Sequence, residues 1–117
     1  MNDYTLDEIW NRIQESMLQN PAPISELNIV YQFDLIDEEN GSYQLHLFNG
    51  NVEVIRDHFS EPGCTLKMKT AHFKDLLLGK LSGAAAFLTG RLKVKGNMGL
   101  ALKLDQILSH YDVKNLL

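Results

Sequence analysis

The amino-acid sequence predicts an α+β fold: a five-stranded sheet with its helices packed on one face. Three observations lead there. Apolar residues recur at helical spacing from Leu6 to Met17, then switch to strict alternation between Leu27 and Leu35. After Cys64, short strand and helix patterns interleave and end in one broad apolar helix. At 117 residues the chain is long enough to bury a continuous core without disulfides or metals, so a single domain over 1–117 is expected.

Thr5-Leu-Asp-Glu8 reads as a capping box, with Tyr4 and Ile9 placed to form a hydrophobic staple. A helix over about 6–19 follows, with Leu6, Ile9, Trp10, Ile13 and Met17 on one face, and Asn20-Pro21 stops it. Leu27, Ile29, Tyr31, Phe33 and Leu35 then share one side of a half-buried strand. The Glu38-Glu39-Asn40-Gly41 turn leads into a strand over Ser42–Phe48, and Asn49-Gly50 signals a tight primed turn into a third strand ending at Ile55. Glu61-Pro62-Gly63 breaks the chain before a fourth strand, Cys64–Met68. Thr70 is the expected N-cap of a short helix through Phe73, Leu76 and Leu77 that ends at Gly79. Ser82 caps another helix, ended by Gly90. Arg91–Lys95 alternates as a fifth strand, Gly96 turns the chain, and Asn97 caps a last helix whose Leu100, Ala101, Leu104, Ile107 and Leu108 form the apolar face.

Hydrophobic residues at 44% and charged residues at 22% exclude a disordered or fibrous chain. A formal net charge of -4 offers no basic field for phosphate backbones, which argues against nucleic-acid binding. The single cysteine, Cys64, has no disulfide partner and no zinc-like spacing, which fits a reducing, cytoplasmic setting. No apolar stretch is long enough to span a bilayer, and Met1–Trp10 carries Asp3, Asp7 and Glu8 where a secretory signal would be basic and then apolar. The ending Asn115-Leu116-Leu117 is not a peroxisomal address.

Catalytic and metal motifs are missing from the pattern. His46, His58, His72 and His110 lie apart, without the spacing of a zinc helix, and read as structural or surface residues. Asp37, Glu38 and Glu39 read as a solvated turn, and no nucleophile elbow or Walker loop is present. Gly90, Gly96 and Gly99 are turn and cap residues, not a nucleotide loop. Arg91, Lys93 and Lys95 form a cationic stripe beside the helix start at Asn97. Its favoured reading is a solvated strand face, and its alternative is a seat for an anionic head group. The reading assigns no catalytic residue, no cofactor and no metal ligand. The dense apolar runs Leu76–Leu78, Ala84–Leu88 and Leu100–Leu108 read first as plain core, although short helices facing one sheet side can also enclose a void for a flexible apolar ligand.

Longer motifs carry a family resemblance. Cys64-Thr-Leu-Lys-Met-Lys, Phe73 to Leu77, Gly79-Lys80-Leu81 and above all Phe87-Leu-Thr-Gly-Arg-Leu-Lys-Val-Lys-Gly-Asn-Met-Gly-Leu-Ala-Leu-Lys-Leu104 resemble the sterol carrier protein, type two, lipid-binding domain. The resemblance runs from about Val30 to Leu108 and implies that sheet and helices enclose an apolar cavity. It implies non-catalytic binding or carriage of a fatty acid, acyl-CoA, phospholipid, sterol or isoprenoid, in a free-standing version of the domain. The residues expected to line the cavity are Phe33 and Leu47 from the sheet, with Leu77, Leu81, Ala85, Leu88, Met98, Ala101, Leu104 and Leu108 from the helices. Transient contact with a membrane surface or a protein partner is compatible with this role. The alternative is an accessory module that docks on a lipid-metabolising enzyme without a bound small ligand.

Overall fold

The computed structural model describes residues 4–57 and 59–111. The helices are α1 (Leu6–Gln19), α2 (Thr70–Leu77), α3 (Gly83–Leu88) and α4 (Met98–Ser109). The strands are β1 (Asn28–Leu35), β2 (Ser42–Phe48), β3 (Asn51–Ile55), β4 (Cys64–Met68) and β5 (Leu92–Gly96). A single 3₁₀ turn, Ala22–Ile24, follows Pro21.

The five strands form one mixed sheet in the order β3-β2-β1-β4-β5. β1, β2 and β3 are an antiparallel meander, β4 joins β1 in parallel, and β5 returns antiparallel to β4. The β2–β3 connection is the expected primed turn, since Asn49 and Gly50 both have positive φ, 49° and 87°. Register lines the inner face with one apolar set: Leu45 opposite Tyr31, Tyr43 opposite Phe33, and Phe33 beside Leu66. Because side chains alternate, the same register sends Gln32, Asp34, Lys67 and Lys93 to the other face.

Helix α1 lays Ile9, Trp10, Ile13 and Met17 into the core. Its capping box is formed: Glu8 N–H donates to Thr5 Oγ1 and Thr5 N–H to Glu8 Oε1, each at 3.2 Å. Gln14 Oε1 accepts from Val54 N–H at 3.0 Å, which ties α1 to edge strand β3 and satisfies a donor that the edge would leave open. Asn97 and Ser82 cap α4 and α3 as the sequence indicated.

Helix α2 corrects one expectation. Thr70 is its first residue, not its N-cap, and Lys69 in the cap position makes no side-chain cap bond. The cap comes from Asp37, whose Oδ1 accepts from Thr70 N–H at 2.8 Å and from Thr70 Oγ1 at 2.9 Å. These bonds hold the Asp37 carboxyl below the usual carboxylate range.

The chain crosses the outer sheet face between β3 and β4, and this explains a fully buried Gln44. Gln44 Nε2 donates to Ser60 O and to Gln32 Oε1, and its Oε1 accepts from Ser60 N–H. The amide acts as an extra ladder partner for the crossing segment, so its burial leaves nothing unpaired. Gly96, at φ 96°, sits where a Cβ would approach Gly63 O to 2.8 Å; only glycine lets β5 turn into α4 there.

Candidate functional site

Trp10 is the centre of the space between sheet and helices. From α1 its indole meets Phe33 edge-on at 5.0 Å and stacks on Tyr43 and on Phe73 of α2, both at 5.2 Å. Beside it is a small void of about 10 Å³. The void is lined by Trp10 and Ile13 of α1, Phe33 and Leu45 of the sheet, Phe73, Leu76 and Leu77 of α2, and Leu104 and Leu108 of α4. Every lining residue is apolar apart from the indole N–H of Trp10, a buried nitrogen without a hydrogen-bond partner. The void has room for about one water, which an apolar lining would not hold.

Next to the void, an open cleft of about 700 Å³ separates the end of α2 and the α2–α3 loop from the end of α4. Leu76, Leu77 and Leu108 line both spaces and so stand between them. The cleft's other apolar residues are Leu78 and Leu81, and its polar ones include Ser82, Asp105, Ser109, His110 and Tyr111. Two latches set its walls. Both oxygens of Asp105 on α4 accept from Gly83 N–H at the start of α3, at 3.0 and 2.9 Å. Tyr111 Oη donates to Asn20 O at 2.8 Å, fixing the end of α4 to the end of α1. The volume falls in the range of small-molecule sites, about 300–1,000 Å³, while the small void is far below it.

The expected lining residues divide by position. Leu77 and Leu108 line both spaces, Phe33 and Leu104 the void, and Leu81 the cleft. Leu47 and Ala101 are buried and Ala85 half-buried, but none of the three lines either space. Leu88 is 81% exposed, because α3 buries Gly83 and Ala86 and a residue two positions further on turns outward. Met98, on the first turn of α4, is also exposed. Sequence reasoning missed Trp10, Ile13, Leu45, Phe73 and Leu76 as lining residues. The stripe on α1 was visible, but it carries no mark that separates a cavity wall from ordinary core.

The cationic stripe lies elsewhere. Lys93 and Lys95 project from the solvated outer sheet face, where Lys93 stands opposite Lys67, whereas Arg91 precedes β5, half-buried, with its Nε donating to Thr89 Oγ1; none of the three lines either space. Burial pushes the Cys64 thiol up to about 11 and raises the Tyr31 phenol well above its usual range. Tyr31 Oη donates to Leu100 O at 2.7 Å, anchoring α4 over the sheet. His46 sits on β2, His72 on α2 and His110 at the end of α4, while His58 lies outside the described residues. Among the described residues, no three His, Cys, Asp or Glu side chains gather as a metal site, and no helix is long and apolar enough to cross a membrane.

Comparison with known proteins fits this arrangement of sheet and helices. The model of the SCP-2 sterol transfer family matches residues 10–109. The chain belongs to that family. Among solved structures it is similar to sterol carrier protein 2 from Yarrowia lipolytica in its apo form, with a TM-score of 0.64 and 27% identity over 93% of this chain and 85% of that one. It shares its fold with palmitated SCP2L2 from Aedes aegypti, with a TM-score of 0.69 and 19% identity over 92% of this chain and 96% of that one. Hydroxysteroid dehydrogenase-like protein 2 from Xenopus tropicalis is 34% identical over 110 residues, which are 93% of this chain and 26% of that protein. The chain thus spans about a quarter of the length of the curated relatives it matches. Membership of the SCP-2 family implies lipid binding, and the observed five-stranded sheet with four helices is the family's fold.

Proposed function

We propose that this protein binds and carries a lipid without chemically changing it. The tail enters through the cleft between α2 and α4 and occupies the core beside Trp10. The observation that carries the reading is the void with an apolar lining, next to an open cleft that shares Leu76, Leu77 and Leu108 with it. At its present size the void is too small for a tail, so binding moves these shared residues apart and replaces part of the core packing with ligand. The driving force is burial: a palmitoyl-sized tail removes about fourteen methylenes from water at ~0.8 kcal/mol each, on the order of 11 kcal/mol before ordering costs.

Trp10 is the one tryptophan in the chain, and it lines the void. Its emission therefore reports occupancy without a label. Titration with a series of saturated lipids of one head group and rising chain length is expected to shift the emission, with affinity rising several-fold per added methylene until the space is full. An emission unaffected by every chain length would sink the reading. A second reading follows from the quarter-length match to a dehydrogenase-like protein: a domain of this kind, held beside an enzyme, would serve it by docking. Under that reading alone the emission would respond to the partner enzyme and not to lipid.

A further inference from the structure

We infer that the cleft selects lipids whose polar end is an uncharged hydrogen-bond donor, such as a hydroxyl, over lipids ending in a carboxylate or phosphate, and that Asp105 is the residue that discriminates. The inference rests on the carrier reading above. A charged end cannot follow the tail inward, because the void offers it no compensating charge and one indole N–H at most. The polar end therefore stays in the cleft, and the groups there decide which ends are tolerated.

Two of the rim's hydroxyls are spent: Tyr111 gives its hydrogen to Asn20 O, and Ser109 gives its own to Gln106 O at 2.6 Å. Ser82 Oγ accepts from Ala85 N–H and keeps its own hydrogen to donate, and the exposed His110 keeps a ring N–H, donors that serve a charged and an uncharged end alike. What separates the two ends is the carboxylate of Asp105. Asp105 has one N–H partner, Gly83, for two carboxylate oxygens, which leaves acceptor capacity unused. The carboxylate sits close against the start of α3, for a Cβ at position 83 would come within 3.1 Å of Asp105 Oδ2. Among the described residues that line the cleft there is no lysine or arginine. Lys80 is exposed in the α2–α3 loop without lining the cleft, and Lys67, Lys93 and Lys95 belong to the outer sheet face. An anionic head group would meet a carboxylate with no fixed cation in the lining to offset it, whereas a hydroxyl would donate to that same carboxylate.

The test compares palmitate with monopalmitoylglycerol, which share one acyl chain, by competition against a fluorescent lipid at fixed pH and low salt. The glyceride is expected to bind more tightly by about fivefold, the factor that a like charge ~6 Å away exerts in a mostly aqueous cleft. Asp105→Asn keeps the side-chain size and is expected to bring the ratio close to one. Should that variant lose its fold with the Gly83 latch, Ser109→Lys places a cation on the same rim and is expected to turn the preference toward palmitate. Equal or tighter binding of palmitate by the unaltered protein overturns the inference, as does an unchanged ratio in folded Asp105→Asn or Ser109→Lys. Failure of both lipids to bind instead removes the carrier reading, and the inference with it.

Discussion

Leu104→Ala separates a ligand cavity from ordinary core. Leu104 is 5% exposed and borders the void beside Trp10. Truncation removes three methylene equivalents, about 2.4 kcal/mol of transfer free energy, and the added empty space brings the expected loss to about 3–4 kcal/mol. For a domain of this size that lowers the apo melting temperature by roughly 10–15 °C. The same truncation widens the space beside Trp10, so the variant has less packing to displace when a tail enters. Saturating lipid at a hundredfold excess over Kd stabilises any folded protein by about 2.7 kcal/mol, and a tighter-binding variant gains more at equal lipid concentration. Calorimetry with and without monopalmitoylglycerol is therefore expected to show a larger lipid-induced rise in Tm for the variant than for the parent. A folded variant that loses under ~1 kcal/mol would mean that Leu104 is not packed as described. A full loss of stability with no extra rescue by lipid would mean that the space beside it is not on the ligand's path.

Other expectations follow from single contacts. Asp37→Ala removes the cap of α2 and is expected to cost about 1 kcal/mol or less, given the exposure of the carboxyl. Because the folded-state pKa of Asp37 is lowered, this stabilisation is complete above the unfolded carboxylate pKa and is lost as pH falls through the folded value; urea melts of parent and variant should converge in acid and separate toward neutral pH. Cys64, buried and with its thiol pushed up to about 11, is expected to react with a thiol reagent only when denaturant unfolds the chain, and rapid labelling of the native protein would contradict its placement. Gly83→Ala brings a Cβ to 3.1 Å from Asp105 Oδ2, a contact that the carboxylate end relieves by moving a few tenths of an ångström, and it is expected to change stability by less than about 1 kcal/mol while leaving the sheet's amide protection unchanged, as hydrogen exchange would report.

The elements were legible because their signals are local. Alternation in Leu27–Leu35, the Thr5–Glu8 capping box and the Asn49-Gly50 turn each place a boundary within a few residues, and the structure has them at those positions. Signals that depend on distant partners were not legible. Asp37 caps a helix that begins 33 residues later, so the neighbouring Thr70 looked like the cap. Gln44 is buried by a segment crossing from β3 to β4, which the alternation within β2 cannot foretell. The site was half legible for a similar reason. Leu77, Leu104 and Leu108 lie on apolar faces that the helical period identifies, whereas on the six-residue α3 the period is too short to tell the outward Leu88 from the buried Ala86. Trp10 belongs to a helix remote in sequence from the family-like motifs, and only folding brings it against Phe33 and Phe73.

Native mass spectrometry of the purified protein, followed by organic extraction and identification of whatever is released, tests the central claim most directly. The carrier account expects one lipid per chain, either co-purified or taken up from a panel of fatty acids, acyl-CoAs, phospholipids, sterols and isoprenoids. A clean apo mass that none of these shifts would contradict it and leave docking on a partner enzyme as the reading to pursue.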